Sequence, residues 1–220
     1  MWRSNVIRTA LCSGVFALWI SHAGAQEFTA HLTGFNEVGS IPTAFPPASS
    51  TATPTGYTGA VLSDGRATAT LELDEKAGAI DYKLTYSNVG STPPQTGTVS
   101  QAHIHFGKSR DSGGILVFFC TNLGNGPAGV TTPPCPANSG TVTGTWTKLN
   151  VIAIPGQNVD AQNFDALVEA LEHNTAYANI HTVPIPGATN TAYPGGEIRG
   201  QVHRADRDEK HHDHDNNQHN

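Results

Sequence analysis

The chain has 220 residues, with 12 Lys and Arg against 18 Asp and Glu for a formal net charge of −6. It therefore lacks the basic excess with which a general nucleic-acid binder neutralises phosphates. The length allows one domain with a single hydrophobic core, and past the N-terminus no run approaches the roughly 20 apolar residues that a membrane span needs.

Residues 1–25 read as a secretory signal peptide: Arg3 and Arg8 supply positive charge, Leu11 to Ile20 is mostly apolar, and Ala23-Gly24-Ala25 offers a small-residue cleavage site before Gln26. Cys12 follows Leu11 and is not read as a lipidation site. The expected product is exported, secreted or periplasmic, and carries no membrane span.

From Gln26 to His203 one β domain is expected. Short alternating or β-rich runs recur at Phe28–Thr33, Gly65–Leu73, Ala79–Ser87, Ser100–Phe106, Ile115–Cys120, Gly140–Thr147, Ala176–Val183 and Glu197–His203, punctuated by Gly, Pro, Ser and Thr. This spacing predicts a mainly β, antiparallel, Greek-key-like sandwich or barrel. Gly39 to Gly59 is dense in Pro, Thr, Ser and Ala and predicts a long surface loop. Turns are expected at Asp64-Gly65 and at Lys76-Ala77-Gly78, the second closing a hairpin. One short helix is expected near residues 160–173, where Phe164, Leu167, Val168 and Leu171 follow helical spacing and Asn158 or Asp160 stands ready to cap. Trp146, Tyr177 and Phe118 read as core or sheet-face residues.

After export two cysteines remain, Cys120 and Cys135, an even pair that predicts a disulfide in an oxidising compartment. The alternative, two thiolates on a metal, has neither a C-x-x-C pair nor a neighbouring ligand histidine in its favour. Residues 204–220 hold almost no apolar side chain and predict a disordered tail. Its His211, His212, His214 and His219, interleaved with Asp213 and Asp215, read either as a loose metal-collecting tract or as a solvated terminus.

The chemistry concentrates in Ala102-His103-Ile104-His105-Phe106-Gly107. Strand alternation puts both imidazoles on one face and the apolar residues on the other, which an ordinary core histidine does not require. Tyr177-Ala178-Asn179-Ile180-His181-Thr182 repeats the arrangement, and in the closing strand Glu197, Arg199, Gln201 and His203 share one face. Neighbouring strands would gather His103, His105, His181 and His203, with His31 as a further candidate. Neutral imidazoles suit Cu(II), Zn(II) and Ni(II), and copper binds tightest. The competing reading makes these histidines structural, hydrogen-bonded to backbone and to Asn179, Glu197 and Arg199. Glu197 and Arg199 are expected to form a local ion pair.

Three segments together resemble the CHRD domain, the module named for chordin and also found alone in exported microbial proteins. They are Leu32-Thr33-Gly34-Phe35-Asn36-Glu37-Val38, the His-Ile-His segment with Phe106 and Gly107, and Tyr177 to Thr182 followed by Pro194-Gly195-Gly196-Glu197-Ile198-Arg199-Gly200-Gln201. The resemblance implies a compact β-rich domain and, in chordin, binding of extracellular growth factors. The chain departs from the family pattern in Gly39-Ser40-Ile41-Pro42, where a Pro commonly follows the Glu-Val pair, and in the insert between Cys120 and Cys135.

Two functions follow as expectations. One is a non-enzymatic exported protein that binds a transition metal, copper or zinc with copper first, through His103, His105 and His181 with His203 as a fourth ligand. The other is an extracellular protein-interaction module with structural histidines. A third reading, a copper enzyme similar to Cu/Zn superoxide dismutases, shares the H-x-H strand but lacks a recognisable second metal loop. No G-x-S-x-G elbow, Walker loop, dinucleotide fingerprint or H-E-x-x-H helix supports another catalytic scheme.

Overall fold

A computed structural model describes residues 25–38, 59–93, 97–185 and 192–205. The expected signal peptide, the loop from Gly39 and the His-rich part of the tail lie outside the described residues.

Nine strands form one antiparallel sheet: β1 (Gln26–Thr33), β2 (Arg66–Asp74), β3 (Ala79–Ser87), β4 (Thr98–Phe106), β5 (Ile115–Thr121), β6 (Gly140–Thr147), β7 (Ala176–Val183), β8 (Ile198–Gln201) and β9 (His203–Arg204). The order is β5-β4-β7-β8-β1-β2-β3-β6, with β9 also on β1. The sheet curls into a nearly closed barrel, so the barrel form of the expected architecture is the one adopted. The β2–β3 hairpin closes where expected, with the Asp74 carboxylate accepting from Ala77 N and Gly78 at φ +61°. Asp64-Gly65 makes no turn; it runs extended into β2, held by Thr92 Oγ1 at Asp64 N and Ser63 Oγ at Gly65 N.

Alternation sends one side of the longer strands inward. Phe28, Ala30 and Leu32, Ala69 and Leu71, Ile80 and Leu84, Ala102 and Ile104, Ala178 and Ile180 all join a single buried cluster. Each large apolar side chain so buried contributes about 1.5–3 kcal/mol. The ends of the sheet, β5 and β6, meet through side chains. Trp146 Nε1 donates to Phe118 O (2.7 Å) and Tyr82 Oη donates to Phe119 O (3.0 Å). The Tyr82 and Trp146 rings stack with centroids 4.4 Å apart, and burial lifts the Tyr82 phenol to about 12, so it stays a donor. These bonds occupy backbone carbonyls of a strand edge that would otherwise stay unpaired.

The single α-helix among the described residues, α1, spans Phe164–Glu172. It starts at Phe164, the first residue of the apolar pattern but later than the expected boundary near residue 160, because Pro155–Gln157 forms a 3-10 turn, Asn158 is left-handed at φ 58° and Ile154 bridges Val159. The cap is accordingly Asn163, whose side chain accepts from Ala166 N at 3.1 Å. Leu167, Ala170 and Leu171 join the barrel core at the end where β7 begins. Among the described residues no helix is long and apolar enough to cross a membrane.

Cys120 and Cys135 are joined in a disulfide across a sequence separation of 15. Closing a loop of that size contributes about 3 kcal/mol in the chain-entropy picture. Asn122 fastens the same loop, donating to Val99 O and Cys135 O and accepting from Cys135 N.

Candidate metal centre

The histidine strands lie side by side. Across β4, β7 and β8, His103 pairs with Asn179 and Asn179 with Arg199, while His105 pairs with Tyr177 and Tyr177 with Gln201. Gln101 pairs with His181 one row away. With Ala102, Ile104, Ala178 and Ile180 turned into the core, the polar members of these rows occupy the outer face. Register shifts between β4 and β5 flank His103, and Phe118 becomes its partner on that edge. The Phe118 ring meets the His103 ring edge-on at 4.5 Å.

The outer face is covered. Residues 107–114 fold over it, and three side chains hold them down: Arg199 Nη2 donates to Lys108 O and Asp111 O, both at 2.8 Å, Gln201 Nε2 donates to Gly107 O, and Gly114 N donates to Gln157 Oε1. Gly113 has no room for a side chain, since a Cβ would stand 1.6 Å from Phe106 O. On the other flank Gly196, at φ +124°, lets the chain pass beside Glu37 and Asn179, where a Cβ would meet Glu37 Oε2 at 2.4 Å. Glu37 Oε2 accepts from Asn179 Nδ2 at 2.7 Å.

Under this cover His103, His105 and His181 place one nitrogen each within 4.8 Å of one another. Ring centroids are 5.2 Å apart for His103 and His105 and 4.8 Å for His103 and His181. His105 Nδ1 lies 2.9 Å from Gly113 O, and His181 Nδ1 lies 2.9 Å from Pro194 O. A carbonyl only accepts, so both Nδ1 atoms carry the proton and both Nε2 atoms present a lone pair. His105 Nε2, His181 Nε2 and both nitrogens of His103 are buried with no hydrogen-bond partner. Four orphaned imidazole nitrogens in one covered pocket are unusual, since buried polar atoms are almost always satisfied.

Electrostatics keep the rings neutral. Burial, reinforced by the His181 and His105 rings, holds His103 well below the ordinary histidine range. Burial lowers His105 to about 3 and His181 to about 4, in each case against the raising effect of the carbonyl bond. At neutral pH all three are free bases, the form in which imidazole ligates metal.

Arg199 and Tyr177 form a column behind the site. The guanidinium carbon sits 3.4 Å from the Tyr177 ring centroid, and that ring stacks parallel on His105 at 4.8 Å. Tyr177 Oη accepts from Gly113 N at 3.2 Å. Glu197 belongs to a different network, fully buried and accepting from Ser63 Oγ (2.8 Å), Gly90 N (2.9 Å) and Thr182 Oγ1 (3.1 Å). In place of the expected local partnership, Glu197 ties three segments of the barrel together and Arg199 clamps the cover of the site.

His203 does not join the trio. The expected closing strand breaks at Val202: β8 ends on Gln201, opposite Tyr177, and β9 pairs with β1 through His203 and Thr29. His203 is thereby carried one row past the end of β7, exposed, with Nδ1 3.2 Å from Asn174 Oδ1. His31 is exposed beside Thr68. Both face an open groove of about 550 Å³ that is also walled by Phe35, Glu37, Arg110 and Arg199.

Alternation found the trio but missed its supports. Nothing in strand periodicity marks Glu37 as the partner of Asn179, or the Gly113 and Pro194 carbonyls as the acceptors that orient His105 and His181, because each comes from a loop. The only sequence signal for Glu37 is its place in the Asn36-Glu37-Val38 segment.

No curated protein matches the chain. A family model, that of the CHRD domain, matches residues 28–202, which include β1 from Phe28 onward, the histidine strands β4 and β7, the disulfide and β8. The barrel, its covered histidine face and the Glu197 and Arg199 networks are thus the structure of a family module, and the chain belongs to the CHRD domain family.

Proposed function

We propose that this is an exported CHRD-domain protein that binds one transition-metal ion, copper in preference to zinc, through His103, His105 and His181. The observation that carries the reading is the set of orphaned imidazole nitrogens, with His105 and His181 each oriented by a backbone carbonyl. Second-layer carbonyls of this kind fix the ring and the tautomer of ligating histidines. A purely structural role would have used those nitrogens in hydrogen bonds. An ion about 2.0–2.1 Å from three nitrogens needs them about 3.5 Å apart, an inward shift of about an ångström from the present 4.8 Å limit.

The expected organisation completes the proposal: a signal peptide over 1–25, the binding domain over 26–203 and a His-rich tail over 204–220 that collects metal loosely. His203 is a peripheral ligand at most. The second reading, an extracellular protein-interaction module, draws support from the family and from Phe35, 63% exposed in the groove.

The test uses the full mature chain with His211, His212, His214 and His219 all changed to Asn. One Cu per chain should bind, and His103→Ala with His105→Ala should abolish it while circular dichroism stays β-rich. Unchanged stoichiometry in the double variant refutes the site. Superoxide turnover by the loaded protein, set against free copper, decides the enzyme reading.

A further inference from the structure

We infer that the pocket is selective for a monovalent ion, Cu(I), over Cu(II) and Zn(II). This rests on the metal reading above and concerns the charge and coordination number that the pocket accepts.

The donor set is neutral. His103, His105 and His181 form the group without any carboxylate or thiolate. Asn179 Oδ1, the other buried and unpartnered atom on the same strands, is neutral as well. Any ion held there keeps its whole charge. The charged groups around the face do not offset it: Arg199, 2% exposed, places its guanidinium behind the Tyr177 ring that stacks on His105. Glu37, hydrogen-bonded to Asn179, and Asp111 of the cover both lie within the electrostatic reach of Arg199, and neither carboxylate belongs to the nitrogen group that would hold the ion. The cost of burying an ion grows with the square of its charge, so a divalent ion carries about four times the penalty of a monovalent one.

Coordination number points the same way. Cu(II) takes tetragonal sites and Zn(II) completes a tetrahedron, usually by adding water to three protein ligands. Here the donor nitrogens have no solvent contact. Phe118 stands against His103, and residues 107–114 are fastened over the site. Three nitrogen donors in a dry pocket match the three-coordinate geometry open to a d10 monovalent ion and leave a divalent ion under-coordinated.

The experiment titrates the full mature chain, its four tail histidines changed to Asn, with Cu(I) under anaerobic conditions against a Cu(I) chelator. Parallel titrations use Cu(II), followed by electron paramagnetic resonance, and Zn(II). One Cu(I) per chain is expected, bound at least about 100-fold more tightly than Cu(II) or Zn(II). X-ray absorption of the copper-loaded chain should give a Cu(I) edge with three nitrogen neighbours at about 2.0 Å. That measurement needs no substitution in the pocket, so it stands even where the chain with His103→Ala and His105→Ala fails to fold. Cu(II) or Zn(II) bound at the trio as tightly as Cu(I), or a four-coordinate Cu(I), overturns the selectivity while leaving the metal site standing. No ion at the trio in any titration overturns the site itself and the selectivity with it.

Discussion

His103 is fully buried with both ring nitrogens unpartnered, and its protonation is disfavoured from every side. Its own burial acts first, then the His181 and His105 rings. The consequence for stability has a definite sign. These are bases whose folded pKa lies below the unfolded value near 6.5, at about 3 for His105 and about 4 for His181. Below pH 6.5 the unfolded chain takes up protons that the folded chain refuses, so stability falls as pH falls. Each histidine adds a slope of up to about 1.4 kcal/mol per pH unit until its folded pKa is reached. Urea unfolding of the metal-free protein should give a level free energy above about pH 7 and a progressive loss from pH 6.5 to 4. A flat profile across that window would contradict three buried neutral imidazoles.

At the scale of elements, the strands were legible because side-chain alternation is a local property of the chain. Ala67–Leu73 and Ile80–Tyr86 read as a hairpin from their own residues and formed one. The closing strand was not fully legible. Glu197 to His203 alternates without interruption, yet β1 takes over the pairing at His203, and competition between two partner strands leaves no trace in either sequence. The helix start was hidden for a similar reason: Asn158 and Asp160 are good caps, but residues 154–159 are already committed to a 3-10 turn and a bridge. Barrel closure is another non-local event, and it puts Trp146 in a role that its apolar character did not announce. Trp146→Phe keeps an aromatic six-membered ring but removes the indole N–H and its bond to Phe118 O. Leaving that carbonyl buried and unpaired should cost about 1–3 kcal/mol, read as a lower urea midpoint with an unchanged slope. A loss within about 0.5 kcal/mol would mean that the seam is held by packing alone.

At the scale of the molecule, the site was half legible. The sequence placed His103, His105 and His181 on one face, and the folded chain brings them together. It also offered His203 as a fourth ligand, and only the register of β7 against β8 separates it from the trio. The cover over the face, built from residues 107–114 and held by Arg199, came from loop geometry that alternation does not encode. Because the ligands come from β4 and β7 while their orienting carbonyls come from Gly113 and Pro194, an ion in the pocket would brace strands and loops at once. Binding should therefore raise thermal stability: free metal at 100 times Kd adds about 2.7 kcal/mol, an upward Tm shift of about 5–11 °C for a chain of this size. Calorimetry with and without a chelator measures it, and an unchanged Tm at saturating metal would place binding outside the fold.

The strand from Thr98 to Phe106 carries two messages interleaved at every second residue. Ala102 and Ile104 speak to the barrel interior, His103 and His105 to the covered pocket outside. The two sets point to opposite faces of one strand. A designer could therefore rewrite the ligand set, for instance by placing a thiol or a carboxylate at an outward position, and inherit the scaffold unaltered. The barrel is a chassis, and its outer histidine face is an exchangeable fitting.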